Sequence, residues 1–266
     1  MFELQRARRD RSLPNSNTFV HKLRLDVEGY QPLKAAVSVD RAGVYSHVLQ
    51  PLGEGNTTHL YIEISLLDGR KHITARSGVL LHNKSSVPLD VRLITSTPDV
   101  TPVFEPLLPN KKLSIPLPLT SANIRVRPHG WGYSWSEEAL SWLAFNPASS
   151  VAVSQRMQCR PLGESSEGSS GSFHICCNVA TDVLPTSGRR LPCHTFTFIP
   201  PITLVNLLTE DLQYEFADSP VYGRLQAGVA QGVYSPDLQV CNCCCIWGLD
   251  NLIGRPACVE QLEPQA

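Results

Sequence analysis

Nine cysteines carry the most obvious chemistry in this 266-residue chain, because thiolates serve both as metal ligands and as nucleophiles. More than half of them crowd the C-terminal segment: Cys241, Cys243, Cys244, Cys245 and Cys258. Five thiolates suffice for a tetrahedral zinc site, but no C-x-x-C pair faces a second one, and adjacent cysteines cannot easily share a metal. We predict no metal site and no cofactor, with zinc binding by these cysteines as an alternative. The other four cysteines are most simply small buried hydrophobic residues.

A catalytic nucleophile with its base is not found in the sequence. Cys193 and His194 are adjacent, and neighbouring residues of a strand point to opposite faces, so these two could not act together. There is no G-x-S-x-G elbow and no glycine-rich phosphate loop with its lysine. We therefore predict that the protein is not an enzyme.

The most aromatic and glycine-rich segment is RPHGWGYSWS, residues 127–136, and it offers the best candidate recognition surface. Trp131, Tyr133 and Trp135 alternate, which would place them on one face of a strand, with His129 nearby. Aromatic ladders of this kind can dock proline-rich peptides. The alternative is that Trp131 and Trp135 belong to the core, or that the glycines form a corner over them.

One pattern of six residues occurs twice in the chain with the same spacing, and it predicts the strands that would hold the candidate residues in place. The first copy is Val79, Leu81, Asn83, Leu89, Val91 and Leu93, and the second is Ile202, Leu204, Asn206, Leu212, Tyr214 and Phe216. Apolar residues at every second position predict strands with one buried face. Asn83 and Asn206 fall where each strand enters a turn, and asparagine side chains hydrogen-bond nearby backbone there. We predict a structural role for both.

Composition supports a folded protein built of short strands. The hydrophobic fraction is 42%, the charged fraction is 18%, and 21 prolines stand against 2 methionines. The formal net charge of −1 gives no reason to expect nucleic-acid binding. No apolar run is long enough for a transmembrane helix and the N-terminus lacks a secretory signal, which predicts a cytosolic protein.

The strand signals predict an all-β fold of tandem antiparallel β-sandwich modules, the last one truncated. The expected divisions are a polar flexible N-terminus at 1–20, the end of a preceding β module at 21–52, a complete β-sandwich module at 53–200, the start of a next, truncated module at 201–238, and an atypical cysteine-rich tail at 239–266.

Three motifs together resemble one known family. KHITARSGVLLHN at 71–83, PLLP at 106–109 and RPHGWGYSWS at 127–136 are similar to the adaptor-binding region of the vacuolar protein sorting 13 family, the very large bridge-like lipid transfer proteins of membrane contact sites. The resemblance covers roughly residues 30 to 235. It implies a string of β-sandwich modules, each marked by an asparagine, and Asn83 and Asn206 occupy that position.

The resemblance also implies a function. It implies a platform that binds Pro-X-Pro motifs of organelle adaptor proteins, lies peripherally at organelle membranes or contact sites, and moves no lipid by itself. Trp131, Tyr133 and Trp135 are the candidate peptide-binding residues. The competing hypothesis is a structural remnant without a competent groove, whose open sheet edge makes it prone to aggregate and whose solubility improves when residues from 201 onward are removed.

Overall fold

The structure is a computed structural model that describes most of the chain. The described residues are 3–6, 21–55, 57–95, 103–141, 153–163, 171–186, 189–216, 221–235, 244–248 and 257–258. Within these ranges there are nineteen strands, one short 3-10 segment and no α-helix, which confirms the prediction of an all-β fold. In this described part, no helix is long and apolar enough to cross a membrane.

The first six strands build two small antiparallel sheets over one core. Their bounds are Glu3–Arg6 (β1), His21–Arg24 (β2), Val37–Ser38 (β3), Gly43–Leu49 (β4), Thr58–Leu67 (β5) and Arg70–Arg76 (β6). The sheets have the orders β1-β2-β3 and β4-β5-β6. Asp68 and Gly69 make the hairpin turn between β5 and β6, with the left-handed φ values of 49° and 72° that such two-residue turns require. Residues such as Leu49 and Ile62 form the first core.

The next seven strands form a sandwich around the largest core. Their bounds are Val79–Asn83 (β7), Leu89–Ile94 (β8), Lys112–Ser114 (β9), Asn123–Pro128 (β10), Val153–Cys159 (β11), Phe173–Thr186 (β12) and Arg189–Ile199 (β13), with the 3-10 segment at Leu117–Leu119. One layer is the five-stranded sheet β11-β12-β13-β7-β9, and the other is the pair β8-β10. The β13–β7 pairing is parallel, whereas the other pairings between described strands are antiparallel.

Strict alternation in β8 assigns its side chains to two faces. Leu89, Val91 and Leu93 are buried in the second core, while Asp90 and Arg92 point to the outer surface. The partner strand β10 alternates in the same way, so the outer face of the β8-β10 pair carries charged residues. This face holds the candidate site described below.

The remaining strands start a further unit around a small third core. Their bounds are Ile202–Val205 (β14), Leu212–Phe216 (β15), Tyr222–Leu225 (β16), Ala230–Val233 (β17), Cys244–Gly248 (β18) and Ala257–Cys258 (β19). Strand β14 pairs with β17, and β16-β15-β18-β19 form a sheet. Strand β18 lies in the cysteine-rich tail, where the sequence pattern predicted none, and pairs with β15.

The two repeat asparagines share three hydrogen bonds, and Asn83 accepts a fourth from the Ser85 hydroxyl at 2.6 Å. Both are fully buried. The Asn83 amide donates to the carbonyls of Val87 and Leu107, each at 2.8 Å, and its side-chain oxygen accepts from the Ser85 N–H at 2.9 Å. Asn206 repeats this pattern with the carbonyls of Glu210 (2.8 Å) and Leu225 (3.1 Å) and the N–H of Leu208 (3.0 Å). Each asparagine thus closes its own turn and ties a third segment of backbone to it.

The structure contains a second repeat that the sequence analysis did not find. Tyr30 forms an isolated β-bridge with Pro51, and Tyr133 forms the equivalent bridge with Pro161. The flanking hydrogen bonds are the same, Gln31 N to Gln50 O and Leu52 N to Gly29 O in one copy, and Ser134 N to Arg160 O and Leu162 N to Gly132 O in the other. The Gly-Tyr and Pro-Leu-Gly sequences therefore form one joint, used in two successive units.

The cores are linked by segments that return to the preceding unit. After β9, which pairs with β7, Leu117 packs against the first core. After β17, which pairs with β14, Tyr234 enters the second core. A further link is Arg76, whose guanidinium lies 2.7 Å from the buried Cys193 thiol and 5.7 Å from the Tyr61 ring centroid. The three cores are consistent with several modules in series, and the boundaries at residues 53, 201 and 239 stay a prediction.

Candidate functional site

The aromatic segment after β10 does not form a strand. Gly130 and Gly132 have left-handed φ values of 72° and 70°, which bend the chain twice and break the alternation on which a shared face depends. The expected ladder of Trp131, Tyr133 and Trp135 on one strand face is therefore wrong. The side chains separate into two groups instead.

Trp131 and Tyr133 lie together at one end of the sandwich. Both rings contact Phe173, with centroid distances of 6.0 Å and 5.8 Å. Trp131 remains 54% exposed, whereas Tyr133 packs against the second core and donates its hydroxyl hydrogen to the Gly171 carbonyl. Burial raises the pKa of Tyr133, and the nearby Cys159 acts in the same direction. Tyr133 forms the same joint as Tyr30, which explains its position by a structural role in the fold.

Trp135 points away from that cluster, onto the charged outer face of the β8-β10 pair. The Arg127 guanidinium lies 4.5 Å from its ring centroid and the Arg92 guanidinium 5.9 Å from it. Cation–π contacts of this kind contribute roughly 0.5–1 kcal/mol each at exposed sites. They hold the half-buried indole in a fixed place.

Trp135 forms one wall of a groove that we call the Trp135 groove. It has a volume of about 440 Å³ and is lined by Asp90, Val91, Arg92, Val103, Phe104, Pro106, Arg127, His129 and Trp135. One side is apolar, made by the side chains of Val103, Phe104 and Pro106, and the other is charged. A concave site with aromatic walls and a few polar groups is typical of a binding site for a small ligand or a short peptide.

Asp90 organises one part of the charged side. Its two carboxylate oxygens are each engaged, one by Arg127 Nε at 2.9 Å and the other by His129 Nδ1 at 2.7 Å. Asp90 is mostly buried, and its negative charge is paired with Arg127 inside the site. The arrangement fixes the Arg127 side chain against Trp135.

The other arginines of this face have no comparable partner. Arg92 and Arg125 are direct cross-strand neighbours on β8 and β10. Among the described residues, neither forms an ion pair, and the Arg125 Nε is buried without a hydrogen-bond partner. Like charges directly opposite each other on neighbouring strands are destabilising. Within the described residues, the face therefore carries positive charge without a partner carboxylate, beside an aromatic and apolar wall.

The sequence analysis identified Trp135 and His129 but missed the rest of the groove. Arg92, Phe104 and Arg127 are separated along the chain and meet only because β8 and β10 are neighbours in the folded protein. One signal was available: Arg92 and Arg127 both occupy polar positions of alternating segments. The sequence could not predict that these segments pair.

Cys159 and Cys177 are poorly suited to act as nucleophiles. Burial raises the pKa of Cys159 to about 12, with Glu138 acting in the same direction, and burial also raises the pKa of Cys177. Both thiols are therefore protonated near neutral pH, and the thiolate is the reactive form. Burial lowers the pKa of His194. Because Cys193 and His194 are neighbours on β13, their side chains point to opposite faces of the sheet.

Metal binding by the C-terminal cysteines is not tested by the structure. The side chains of Cys241, Cys243, Cys244, Cys245 and Cys258 lie outside the described residues. Within the described ranges, no group of three or more potential metal ligands comes together.

Comparison with protein families decides the identity of the chain. The sequence model of the vacuolar-sorting associated protein 13 adaptor binding domain matches residues 5–245. The chain belongs to this family. The match extends over all three cores and includes the Trp135 groove. The family is defined by binding rather than by a catalytic activity.

The curated relatives are much longer proteins. The chain is 24% identical over 256 aligned residues to the human intermembrane lipid transfer protein VPS13D, covering 82% of this chain and 6% of that protein. It is 30% identical over 112 residues to the intermembrane lipid transfer protein tipC of Dictyostelium discoideum, covering 42% of this chain and 3% of that protein. The Drosophila melanogaster Vps13D is 22% identical over 230 residues, covering 82% of this chain and 6% of that protein. The chain thus spans only a small part of these relatives.

Proposed function

We propose that this chain is a non-enzymatic docking region that binds Pro-X-Pro segments of organelle adaptor proteins. The observation that carries the proposal is the match to an adaptor binding domain over residues 5–245. Through such contacts the region would help to position a lipid transfer protein at organelle membranes or contact sites. Its own membrane association would be indirect, through the adaptors.

The Trp135 groove is the part of the surface that best suits a proline-containing segment. Proline rings are apolar and rigid, and proline-rich segments are already extended before binding, so they lose little entropy when they dock on aromatic side chains. Phe104, Pro106 and Trp135 offer such a surface within one concave site. Because Arg127 already holds the indole in place, little further ordering is needed on the protein side.

The test is a titration of residues 1–266 with a fluorescently labelled Pro-X-Pro peptide, followed by fluorescence anisotropy. We expect saturable binding that is lost when both prolines of the peptide are replaced by alanine. The variant Trp135→Leu is expected to weaken binding at least tenfold. Tyr222→Leu changes an aromatic side chain that is 79% exposed and lies on β16, far along the chain, and it is expected to have no effect.

Several results would contradict the proposal. Absence of binding by a folded protein would argue against proline-motif recognition by this region. Equal binding of the alanine peptide would mean that the prolines are not recognised. A larger loss with Trp131→Leu than with Trp135→Leu would place the site at the Phe173 end of the sandwich instead of in the groove.

A further inference from the structure

We propose that the charged side of the Trp135 groove selects adaptor segments that carry an acidic residue beside the proline motif. This inference rests on the proposed function and adds the chemistry that distinguishes one proline-containing segment from another. Its basis is an imbalance of charge on the outer face of the β8-β10 pair, which no carboxylate among the described residues neutralises.

Three arginines and one aspartate occupy this face. Both oxygens of Asp90 are directed at Arg127 and His129, and among the described residues Asp90 forms no ion pair with Arg92 or Arg125. Arg92 and Arg125 face each other across the strands without a described carboxylate between them. Placing two guanidinium groups side by side costs free energy, and a carboxylate from a partner would offset that cost.

The Arg125 side chain strengthens this argument. Its Nε is buried and has no hydrogen-bond partner within the described residues. Arg125 does not line the Trp135 groove, so its contribution is the positive charge that it places beside Arg92. A carboxylate bound to Arg92 would reduce the repulsion between the two guanidinium groups.

Arginine is well suited to a carboxylate partner. The guanidinium is planar and presents parallel N–H groups that match the two oxygens of an Asp or Glu side chain. Arg92 is exposed and lines the groove beside Trp135, so its N–H groups are accessible to a docked segment. A proline ring on Phe104 and Trp135 would place a neighbouring side chain within reach of Arg92.

The groove favours a peptide over a lipid headgroup as the source of the carboxylate. The charged groups share one concave site with the apolar wall of Phe104 and Pro106, and its volume of about 440 Å³ fits a few residues of an extended chain. A membrane surface would be better matched by a flat and broadly basic face, whereas the whole chain has a net charge of −1.

The test is a double-mutant cycle between protein and peptide. Two peptides share the Pro-X-Pro motif and differ only in a flanking Glu or Gln. For the unaltered protein we expect the Glu peptide to bind five- to twentyfold more tightly than the Gln peptide, with the difference shrinking as salt is added. For Arg92→Gln the difference is expected to fall below twofold. Arg70→Gln removes the same charge from an exposed position at the β5-β6 turn and should keep the full difference.

Each outcome supports or overturns the inference. Equal binding of the Glu and Gln peptides by the unaltered protein overturns the acidic selectivity and leaves the proposed function standing. Failure of both peptides to bind overturns the two proposals together. Vesicles containing phosphatidylserine provide a last arm: if Arg92→Gln abolishes vesicle binding while the peptides are not distinguished, the arginines serve a lipid surface and the inference is wrong.

Discussion

Replacing Asn83 by alanine is expected to lower the free energy of unfolding by about 3 kcal/mol. The substitution removes two donated and two accepted hydrogen bonds in a fully buried position. The buried Ser85 N–H is left without its acceptor, while the Val87 carbonyl keeps the Ser85 hydroxyl and the Leu107 carbonyl keeps the Leu89 N–H. Each buried group left unpaired costs roughly 1–3 kcal/mol. Equilibrium unfolding in urea, followed by tryptophan fluorescence, measures the change.

Two other variants separate hydrogen bonding from loss of volume. Asn83→Asp keeps the size of the side chain and the oxygen that accepts from Ser85, but loses both amide donors and sets a carboxylate against two carbonyls. We expect it to be at least as damaging as Asn83→Ala. If Asn83→Asp were tolerated, the amide donors would not be the source of the stability. Asn123→Ala, at an exposed position of β10, should change stability by less than about 0.5 kcal/mol.

The second repeat asparagine is expected to have a smaller effect than the first. Ser85 and Val87 are buried, and Asn83 accepts a further hydrogen bond from the Ser85 hydroxyl, whereas Leu208 and Glu210 lie in an exposed turn. Water can replace the partners lost in the exposed turn, which leaves the contact with the buried Leu225 as the main loss, so Asn206→Ala should cost only about 1 kcal/mol. The same motif thus has a different energetic weight in the two units, because the turn around Asn83 is more buried and more fully hydrogen-bonded.

The local part of this fold could be predicted from the sequence. Alternation with period two depends only on nearest neighbours, and it correctly predicted the strands around Asn83 and Asn206. The structural role of the asparagines follows from a side-chain property that acts over a few residues. Their third hydrogen bond, to Leu107 or Leu225, is not local and could not be inferred.

The site could be predicted only in part, for two physical reasons. The aromatic residues 131, 133 and 135 alternate like a strand, but Gly130 and Gly132 adopt left-handed backbone conformations that the pattern does not encode. The groove also depends on the pairing of β8 with β10, which brings Arg92 beside Trp135. Strand pairing is a long-range property, and a single sequence does not reveal it.

The Gly-Tyr and Pro-Leu-Gly joint illustrates a further limit. Tyr133 follows Tyr30 by 103 residues, Pro161 follows Pro51 by 110, and Asn206 follows Asn83 by 123. Loops of different length between the same elements change these spacings from one unit to the next. A search at one fixed offset therefore finds the asparagine turn with its two flanking strands and misses the joint, although both belong to the same repeated architecture.

The chain segment after β17 is part of the second core, and this leads to the prediction with the other large effect. The Tyr234 ring stacks on Phe173, with a centroid distance of 5.0 Å and an interplanar angle of 13°. Its hydroxyl lies 2.9 Å from both the N–H and the hydroxyl of Ser86, and its carbonyl accepts from the His174 N–H at 2.8 Å. Only 8% of Tyr234 is exposed.

We therefore expect Tyr234→Ala to destabilise the second core by about 3–5 kcal/mol, the range found when a large aromatic side chain is removed from a core. Tyr234→Phe keeps the stacking and loses the contact with Ser86, so it should cost about 1 kcal/mol. Urea unfolding of the two variants beside the unaltered chain measures both values. Equal effects of the two substitutions would mean that the hydrogen bonds of the hydroxyl, and not the packing of the ring, stabilise the second core.

Removing the chain after β13 tests the same contribution of Tyr234 to the second core. Residues 1–200 lack Tyr234 and would expose Phe173 and the His174 N–H, so this fragment should be less stable and less soluble than the whole chain. Residues 1–238 keep Tyr234 and serve as the matched control, with the second core expected to unfold as in the whole chain. The structural-remnant hypothesis requires the opposite order, because it attributes poor solubility to the residues from 201 onward. If residues 1–200 proved more soluble than residues 1–238 and equally stable, Tyr234 would not stabilise the second core. That result would support the structural-remnant hypothesis.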